Sequence, residues 1–359
     1  MTGKKTRVAV IGVGEIGTRA HIPAYLNNKN VDLVALVDND EAKLTKAAKK
    51  FKIKKYFSSV DNLLHNQEVD AISICTPPNT HGKIALKAFA SDVHVLCEKP
   101  MTTSVDDGKR MYEASNKREK ILMIGFNLRF QPNYRKAYEL IKSGRLGHVY
   151  FVESDNLSEN PLLRWSKSPW FFKPEAGGGV LSDKGPHVLD LINYVFDDFP
   201  IAVTALSSTF FVSSVEDSCV CALEYPENRI GIGKMSWLAS KYIEGISIHG
   251  TAESLFASPN MLLEANATDI TEIALWRKTS ETLFNMKFHD SPLFHHKKVD
   301  LYQSEIDHFV DQIRAGKKHS QSALNGLNVL MTCEAAKKSI EKGAKISIQP
   351  IREARRRTK

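Results

Sequence analysis

Three side chains in two short stretches have the types and spacing needed for proton transfer at an oxygen atom. Lys99 stands directly before Pro100 in VLCEKP, and Asp183 and His187 lie four residues apart in SDKGPH. An imidazole titrates near physiological pH, so His187 can accept a hydroxyl proton. A lysine ammonium can stabilise negative charge on the same oxygen, and a carboxylate can orient the pair. These residue types are suited to acid–base chemistry at a hydroxyl group.

A buried strand must deliver the lysine of VLCEKP. Val95 and Leu96 belong to a short β-prone apolar run, and Pro100 ends it because proline lacks the amide donor of a ladder. The residue before a proline has restricted backbone freedom, so Lys99 has a better defined position than an ordinary surface lysine. We therefore expect Glu98 and Lys99 at the carboxyl end of a buried strand.

A helix must position the carboxylate and the imidazole. After the GGG at 177–179, the pattern is helical at least from Pro186, whose ring suits a first helical turn. A helix continuous from Leu181 would place Asp183 and His187 on one face. A break at the proline would separate them, and the sequence leaves both arrangements open.

Length and composition limit the classes of protein to which this chain can belong. The 359 residues exceed the size at which one core usually keeps growing, which predicts two domains. The apolar fraction of 42% and the charged fraction of 25% are typical of a globular protein. No apolar run approaches the ~20 residues needed to cross a bilayer. The start, MTGKKTR, lacks the apolar core of a signal peptide, so we expect a cytoplasmic protein with no membrane partner.

The formal net charge of +8 and the terminal REARRRTK raise nucleic acid as a partner. Most lysines, however, lie on helical stretches such as EAKLTKAAKKFKIKK, where a solvated face is the simpler interpretation, and no recognition motif accompanies them. The positive field would also favour anionic substrates or cofactors. The five cysteines are scattered without a CxxC pair, which indicates packing in a reduced compartment. We expect no nucleic-acid partner and no metal.

The order of strands and helices divides the chain into predicted domains at 1–125 and 126–359. In the first, the apolar runs RVAVIGV, VDLVALVD, DAISICT, DVHVLCE and KILMIGF alternate with amphipathic helical stretches, which predicts a doubly wound parallel sheet. In the second, strand-like runs follow one another without helices, which predicts an α+β domain on an open, mainly antiparallel sheet. The predicted strands lie at 148–155, 201–213, 217–225, 229–238 and 243–249. Two late helices, about 301–315 and 323–342, complete the chain, and we leave open whether they pack back on the first domain.

The stretch GVGEIG at 12–17 predicts a dinucleotide site because it follows the strand VAVI and precedes a helix. Its glycines permit a tight turn and close approach of the backbone to a pyrophosphate, and the helix amino terminus supplies free N–H donors. The next strand ends at Asp38, where an acid is expected to bind the adenosine ribose. Its carboxylate would repel a 2′-phosphate, so NAD is favoured and NADP is the alternative; a helix cap is the structural interpretation of Asp38. The candidate cofactor contacts here are Gly12, Val13, Gly14, Glu15, Ile16, Gly17, Asp38 and Asn39.

A second loop at the same edge of the sheet follows the strand ISICT. A pair of prolines ends this strand, and Asn79 or Thr80 is a natural N-cap of the helix that follows. Ligands of open α/β folds bind at the carboxyl ends of the strands, so this loop should border the cofactor. A simple capped turn is the structural alternative. The candidate contacts are Thr76, Pro77, Asn79 and His81.

Five stretches in order carry a family resemblance. They are VAVIGVGEIGTRAHIPAY, SICTPPNTHGKIALKAF, CEKPMTTSVDDGKRM, GFNLRFQPNY and GGGVLSDKGPHVLDL. In order and spacing the chain resembles the glucose-fructose oxidoreductase, inositol dehydrogenase and rhizopine-catabolism family (Gfo/Idh/MocA) over almost its whole length. The E-K-P triplet with a downstream D-x-G-x-H is the most specific part of this likeness.

The resemblance implies a Rossmann domain, a second domain on an open sheet, and nicotinamide between them. It implies that Lys99 contacts the nicotinamide ribose and the substrate hydroxyls, that Asp183 and His187 complete the catalytic set, and that Glu98 lies near the cofactor. It also implies further contacts to the substrate or nicotinamide cleft from Asn127, Arg129, Trp165 and Trp170. Many relatives have W-R where this chain has Trp170 followed by Phe171, so an arginine contact to the cofactor is not carried over.

The expected function is that of an NAD-dependent oxidoreductase acting on a secondary hydroxyl or ketone of a sugar, inositol or related polyol. The alternatives are the same fold used with NADP or with tightly held cofactor, and a non-catalytic sensor of sugar and dinucleotide. The intact Lys99, Asp183 and His187 argue against the sensor. By resemblance, the open sheets should pair to form a homodimer or homotetramer.

Overall fold

Two sheets organise the described part of the chain. The structure, a computed structural model, describes residues 4–159, 169–211, 214–266, 299–319 and 321–352. Within these ranges one sheet has six strands and the other has eight. None of the described helices is both long enough and apolar enough to span a membrane.

The six-stranded sheet is parallel, with strand order β3-β2-β1-β4-β5-β6. The strand order reverses between β1 and β4, the topological switch point at which ligands of doubly wound sheets bind. The Rossmann prediction is confirmed; the two-residue edge strand β3 was not predicted because so short a run has no readable alternation. The strands are β1 Thr6–Ile11, β2 Val31–Val37, β3 Tyr56–Phe57, β4 Ala71–Ile74, β5 His94–Cys97 and β6 Leu122–Ile124.

Helices connect these strands on both faces of the sheet. A π-helical turn, Gly17–His21, leads directly into the first of them. The helices are α1 Ile22–Asn27, α2 Glu41–Phe51, α3 Val60–Asn66, α4 Pro78–Ala90 and α5 Val105–Lys117. Each crossover from strand to strand through a helix keeps the strands parallel.

The eight-stranded sheet is mainly antiparallel, as predicted. Its order is β13-β12-β11-β7-β10-β9-β8-β14, and β7 and β10 form its parallel pair among the described residues. The last three strands were not predicted. The strands are β7 Val149–Leu157, β8 Ala202–Ser208, β9 Ser218–Tyr225, β10 Arg229–Ser236, β11 Ile243–Gly250, β12 Glu253–Ser258, β13 Met261–Asn266 and β14 Ile346–Ser347.

The helices of the second part tie the two sheets together. Short 3₁₀ turns cover 127–130, 169–172, 174–176 and 226–228. The helices are α6 Pro132–Lys142, α7 Val180–Asp183, α8 Gly185–Phe196, α9 Leu301–Arg314 and α10 Gln321–Lys342. Helix α9 contacts the first domain through Gln303, whose amide donates to the carbonyl of Ala24 at 3.1 Å. Helix α10 bridges both sheets, since Ser322 Oγ accepts from Ile124 N at 2.9 Å and Ser339 Oγ accepts from Ala205 N at 2.9 Å.

The two faces of the eight-stranded sheet differ in burial. Alternate residues of β7, including Val152, Ser154 and Asn156, are buried on the inner face. On other strands the outward residues include large apolar side chains, and Leu206 and Val220, paired across β8 and β9, are 74% and 45% exposed. The inner face therefore borders the core and the cleft, while the outer face leaves an apolar surface uncovered by the described residues.

Candidate active site

The glycine turn after β1 fits a dinucleotide pyrophosphate. Gly12 has φ +95°, and a Cβ there would lie 2.7 Å from the carbonyl oxygen of Cys75. A Cβ on Gly17 would lie 2.1 Å from the carbonyl oxygen of Gly12. A Cβ on Gly14 would meet nothing within 4 Å. The first and third glycines are thus required by the fold itself, whereas the second leaves open space where a pyrophosphate can approach the backbone.

Asp38 lies at the end of β2 with its carboxylate fixed by the backbone. Its Oδ2 accepts from Val13 N at 2.8 Å and its Oδ1 from Asp40 N at 2.9 Å. The N-cap of α2 is Asp40, whose side chain accepts from Lys43 N, so the interpretation of Asp38 as the helix cap is wrong. A carboxylate has about four acceptor positions, and two remain for ribose hydroxyls.

The loop after β4 differs from its sequence-based prediction at the helix start. Helix α4 begins at Pro78 with Pro77 as N-cap and no side-chain cap, so the predicted cap by Asn79 or Thr80 is wrong. Proline is already suited to the first helical position, and Thr80 Oγ1 instead donates to the carbonyl of Pro77 at 2.7 Å. Thr76 shares a hydrogen bond of 2.7 Å with the Thr80 hydroxyl. Pro77 and Asn79 are exposed at this edge.

His81 connects this loop with the loop that carries Lys99. Its ring is fully buried, with Nδ1 3.0 Å from the carbonyl oxygen of Pro100 and Nε2 2.8 Å from that of Thr76. Burial lowers the pKa of His81, so a neutral ring donates to one carbonyl at a time. Its predicted contact to the cofactor stays a prediction, since the main chain engages both nitrogens.

Glu98 belongs to a buried network under the lysine. Its Oε1 lies 2.9 Å from His21 Nε2, and its Oε2 accepts from Lys99 N at 3.2 Å. His21 Nδ1 lies 3.0 Å from Ser73 Oγ, which lies 2.8 Å from the Tyr25 hydroxyl. Burial raises the pKa of Glu98, but the hydrogen bond and charge of His21 outweigh it, so the pKa is lowered and the carboxylate is ionised. The helix after the glycine turn thereby supports the strand end that carries the lysine.

Helix α9 places a second carboxyl group beside this network. Glu305 is fully buried, and neither of its carboxyl oxygens has a hydrogen-bond partner among the described residues. Burial and the charge of Glu98 raise the pKa of Glu305 well above its ordinary value. Glu305 is therefore a neutral carboxylic acid next to an ionised one.

Lys99 joins the two domains through Asp183. Its ammonium lies 2.8 Å from the main-chain oxygen of Asp183 and 3.0 Å from Oδ1 of the same residue. The other carboxylate oxygen, Oδ2, accepts from Trp237 Nε1 at 3.0 Å. Burial raises the pKa of Asp183, but the charges of Lys99 and Lys184 and these two hydrogen bonds outweigh it and hold the pKa well below its usual range. An ionised carboxylate thus fixes the ammonium at the interface of the domains.

His187 lies one helical turn beyond Asp183. Lys184, between α7 and α8, has φ −94° and ψ −32°, and its carbonyl accepts from His187 N at 3.1 Å, so the chain continues helically without a sharp break. The two side chains are not hydrogen-bonded to one another, and His187 Nδ1 is buried with no partner in the described ranges. Burial and the charges of Lys99 and Lys184 lower the pKa of His187 well below its ordinary value. The imidazole is therefore neutral and able to accept a proton.

The remaining predicted substrate residues lie in different settings. Arg129 is clamped by Asp190, with Nε–Oδ2 and Nη2–Oδ1 distances of 2.6 and 2.7 Å, and its guanidinium lies 4.8 Å from the ring centre of Tyr194. Asn127 is buried, and its Oδ1 has no partner among the described residues. Trp165 lies outside the described residues. The geometry of Arg129 favours a positioning role, and the predicted substrate contacts of all three stay predictions.

Three side chains near the site were missed by sequence reasoning. His21 stands in the quoted stretch after the glycine turn, and Lys184 stands inside SDKGPH, but neither pattern indicates a partner. Trp237 is 54 residues from Asp183, and no sequence signal joins them. The described residues contain no cluster of three His, Cys, Asp or Glu side chains that could hold a metal ion.

The fold and this geometry define a class: a nicotinamide-dependent oxidoreductase with a Rossmann domain and a substrate domain on an open sheet. Comparison with protein families agrees. Residues 6–126 match the model of the oxidoreductase family with an NAD-binding Rossmann fold, and residues 134–256 match the GFO/IDH/MocA C-terminal domain. The chain belongs to the Gfo/Idh/MocA oxidoreductase family, and its first domain is an NAD-binding domain.

Individual relatives extend over nearly the whole chain. A myo-inositol 2-dehydrogenase from Thermotoga maritima is 26% identical over 355 residues, which cover 96% of this chain and 99% of the relative. An inositol 2-dehydrogenase from Rhizobium meliloti is 25% identical over 350 residues, covering 95% and 99%. The crystal structure of the WlbA dehydrogenase from Bordetella pertussis, in complex with NADH and UDP-GlcNAcA, is 22% identical with a TM-score of 0.82, covering 97% and 99%. The structural likeness establishes a shared fold.

Proposed function

We propose that the protein is an NAD-dependent dehydrogenase that oxidises a secondary hydroxyl of a sugar, inositol or related polyol to a ketone, or reduces the ketone. The observation that carries this proposal is the Lys99–Asp183 contact, at 2.8 and 3.0 Å, beside the neutral imidazole of His187. Relatives of nearly the same length are named inositol dehydrogenases, which supports a polyol substrate. We also propose the domain boundaries 1–125 and 126–359.

Each catalytic side chain has one proposed role. Bound NAD supplies the chemistry of hydride acceptance from the carbon that bears the hydroxyl. His187 takes the hydroxyl proton, for which its neutral state is required. Lys99 holds the same oxygen and stabilises its developing negative charge, and Asp183 fixes the ammonium and balances its charge. One proton and one hydride leave the substrate, so a secondary alcohol becomes a ketone.

The cofactor contacts follow from the edge of the first sheet. The pyrophosphate would be held by the glycine turn, Gly12, Val13, Gly14, Glu15, Ile16 and Gly17. The adenosine ribose would be bound by Asp38 and Asn39. The nicotinamide half of the cofactor would be bordered by Thr76, Pro77, Asn79, His81 and Glu98. The carboxylate of Asp38, already held by two backbone N–H groups, supports NAD over NADP because it repels a 2′-phosphate.

A turnover assay with NAD tests the function. Purified protein is incubated with NAD or NADP and a panel of sugars, inositols and sugar acids, and the absorbance of reduced nicotinamide is followed. We expect turnover with at least one substrate and faster reduction of NAD. NAD binding without turnover on the whole panel would contradict the enzyme and favour a sensor of sugar and dinucleotide.

The pH profile tests the role of His187. Since the neutral imidazole accepts the proton and its pKa is lowered, the rate of oxidation should persist below the ordinary histidine value of about 6.5 and fall only at more acidic pH. The measurement is kcat/KM for oxidation across pH 4 to 8. An acid limb centred at or above about 6.5 would show that another group takes the proton.

The outer face of the eight-stranded sheet supports a homodimer or homotetramer. Leu206 and Val220, paired across β8 and β9, expose 74% and 45% of their surface, and exposed apolar surface of this kind is typical of an interface. Light scattering coupled to gel filtration should give a mass of two or four chains for the wild type and a smaller assembly for Leu206→Glu. A monomeric wild type would contradict this proposal.

A further inference from the structure

Two lysines flank Asp183 and have different partners. The ammonium of Lys99 takes one carboxylate oxygen at 3.0 Å, and the indole of Trp237 takes the other at 3.0 Å. Both oxygens of this carboxylate are therefore engaged. Lys184, the next residue along the chain, has no carboxylate oxygen within 4.0 Å of its ammonium anywhere in the described ranges.

The backbone fixes the direction of Lys184. Its N donates to the carbonyl of Val180 at 2.7 Å, and its own carbonyl accepts from Val188 N at 3.2 Å. Because consecutive helical residues point about 100° apart, the side chain diverges from that of Asp183. Its ammonium lies 5.7 Å from the ring centre of Tyr242, which is 52% exposed. Lys184 itself is half-buried, so solvent reaches this charge.

The acidic side chain in this region, Glu244, is already satisfied by neutral donors. Its Oε1 accepts from the Tyr134 hydroxyl at 3.0 Å, and its Oε2 accepts from the Tyr242 hydroxyl and from Asn156 Nδ2. Burial raises the pKa of Glu244 above its ordinary value, although the two tyrosine hydrogen bonds oppose this. The cluster offers Lys184 an aromatic face but no paired carboxylate.

A half-buried cation that has no paired carboxylate among the described residues costs folding free energy. Burial and the charge of Lys99 lower the pKa of Lys184, while Asp183 and Glu244 oppose them. Such costs occur at functional sites, where a ligand supplies the missing charge. Because Lys99 is paired with Asp183, Lys184 leaves one uncompensated positive charge among these residues, which a singly charged carboxylate neutralises.

We propose that Lys184 is a specificity residue that binds a carboxylate of the substrate, so that the substrate class narrows from polyols in general to sugar acids. This inference rests on the proposed dehydrogenase function. The carboxylate would lie against the Lys184 ammonium. The hydroxyl to be oxidised would then reach Lys99, which contacts Asp183, and His187, which lies one helical turn beyond Asp183.

Matched pairs of neutral and acidic sugars test the assignment. Wild type, Lys184→Met and Lys345→Met are assayed with glucose against glucuronate and galactose against galacturonate. Methionine keeps the length of the side chain and removes its charge; Lys345 is an exposed lysine bound to Glu224 and controls for the loss of one positive charge. We expect wild type to favour the acids by about 10-fold or more in kcat/KM. Lys184→Met should lower the ratio of kcat/KM for the acid to kcat/KM for its neutral partner by about 10- to 100-fold, mainly through KM for the acid, because a charged hydrogen bond is lost.

The outcomes separate this inference from the function on which it rests. Turnover that prefers neutral sugars or glucose 6-phosphate, or an equal loss for acid and neutral sugar in Lys184→Met, would overturn the carboxylate site and leave the dehydrogenase intact. Absence of all turnover would overturn the dehydrogenase. The site would then be tested by calorimetric titration of NADH-loaded protein with glucuronate: binding lost in Lys184→Met supports it, and no binding by wild type refutes it.

Discussion

The cofactor-binding edge of the first sheet and the side-chain cluster of Asp183, Lys99 and Trp237 are held in place by different kinds of contact. At the cofactor-binding edge, most of these contacts involve backbone groups. The glycines pack against carbonyl oxygens, and the Asp38 carboxylate accepts from Val13 N, 25 residues away. Around Asp183, side chains meet side chains over longer separations, 84 residues to Lys99 and 54 to Trp237. The first region is therefore set mainly by backbone geometry within the first domain, whereas the Lys99–Asp183 contact of the second region forms only when the two domains pack together.

Replacement of Lys99 should remove the contact between Lys99 and Asp183 that joins the two regions. Of the substitutions considered, it should have the largest effect on catalysis. Lys99→Met removes the charge that holds the reacting oxygen, and we expect kcat to fall by about 10²- to 10⁴-fold while the Kd for NAD stays within about 3-fold. Steady-state kinetics and NAD titration are the measurements. Lys109→Met, on the surface of α5, is the matched control and should leave both values unchanged. A Lys99→Met enzyme with wild-type kcat would remove Lys99 from the mechanism.

Two glycine substitutions separate folding from cofactor binding at the first region. Gly17→Ala places a Cβ 2.1 Å from a backbone oxygen and should destabilise the protein by about 3 kcal/mol or more. Gly14→Ala meets no atom within 4 Å, so stability should change by about 0.5 kcal/mol or less while NAD binds at least ~10-fold more weakly. Urea denaturation and NAD titration measure the two effects. Equal stability of both variants would contradict the assignment of the third glycine to the fold.

The buried carboxylic acid Glu305 should make the free energy of unfolding depend on pH. Because its pKa is raised in the folded state, the native protein keeps a proton that the unfolded chain loses above about pH 4.3, so this group lowers the free energy of unfolding as pH rises, by about 1.4 kcal/mol per pH unit. Glu305→Gln lacks this dependence. Urea midpoints at pH 5 to 8 should show the variant gaining on wild type as pH increases. The exposed Glu341→Gln should show no such trend, and parallel curves for Glu305→Gln would mean that Glu305 is ionised in the native protein.

The smallest effect is expected at Asp38. Asp38→Asn retains an oxygen for hydrogen bonding and removes the charge that repels a 2′-phosphate, so the ratio of kcat/KM for NAD over NADP should fall by about 10-fold. Asp32→Asn, on the same strand and exposed, is the control. An unaltered cofactor ratio would show that the ribose-binding assignment of Asp38 is wrong.

Sequence patterns predicted the features that depend on local geometry. The glycine turn, the end of β2 at Asp38 and the strand that stops at Lys99 follow from residue types within a few positions, because turns and strand ends have strong local preferences. The start of α4 was missed, since proline replaced the expected polar cap. The strands β12 to β14 were missed because they are edge or near-edge strands in the second domain, whose pairing is set by their neighbours.

Contacts between distant segments account for what sequence reasoning could not supply. Arg129 was predicted to face the cleft, but its partner Asp190 lies 61 residues away and no pattern links them. The same holds for His21 and Glu98, which are 77 residues apart and meet only because the π-helical turn lies against the loop after β5. The pattern located the reacting residues, and only the packed structure shows what holds each of them.

The hydrogen bond between Trp237 and Asp183 makes the fluorescence of this indole a reporter of the active site. The indole of Trp237 is 1% exposed, donates to the carboxylate at 3.0 Å, and has the rings of Phe171 and Phe172 at 6.3 and 6.0 Å between centres. Indole emission depends on the charge and polarity at the ring, so a ligand that draws Lys99 toward itself changes the field on this fluorophore. The chain has four tryptophans, and replacing the other three with phenylalanine would leave a single intrinsic reporter fixed to the centre of the reaction.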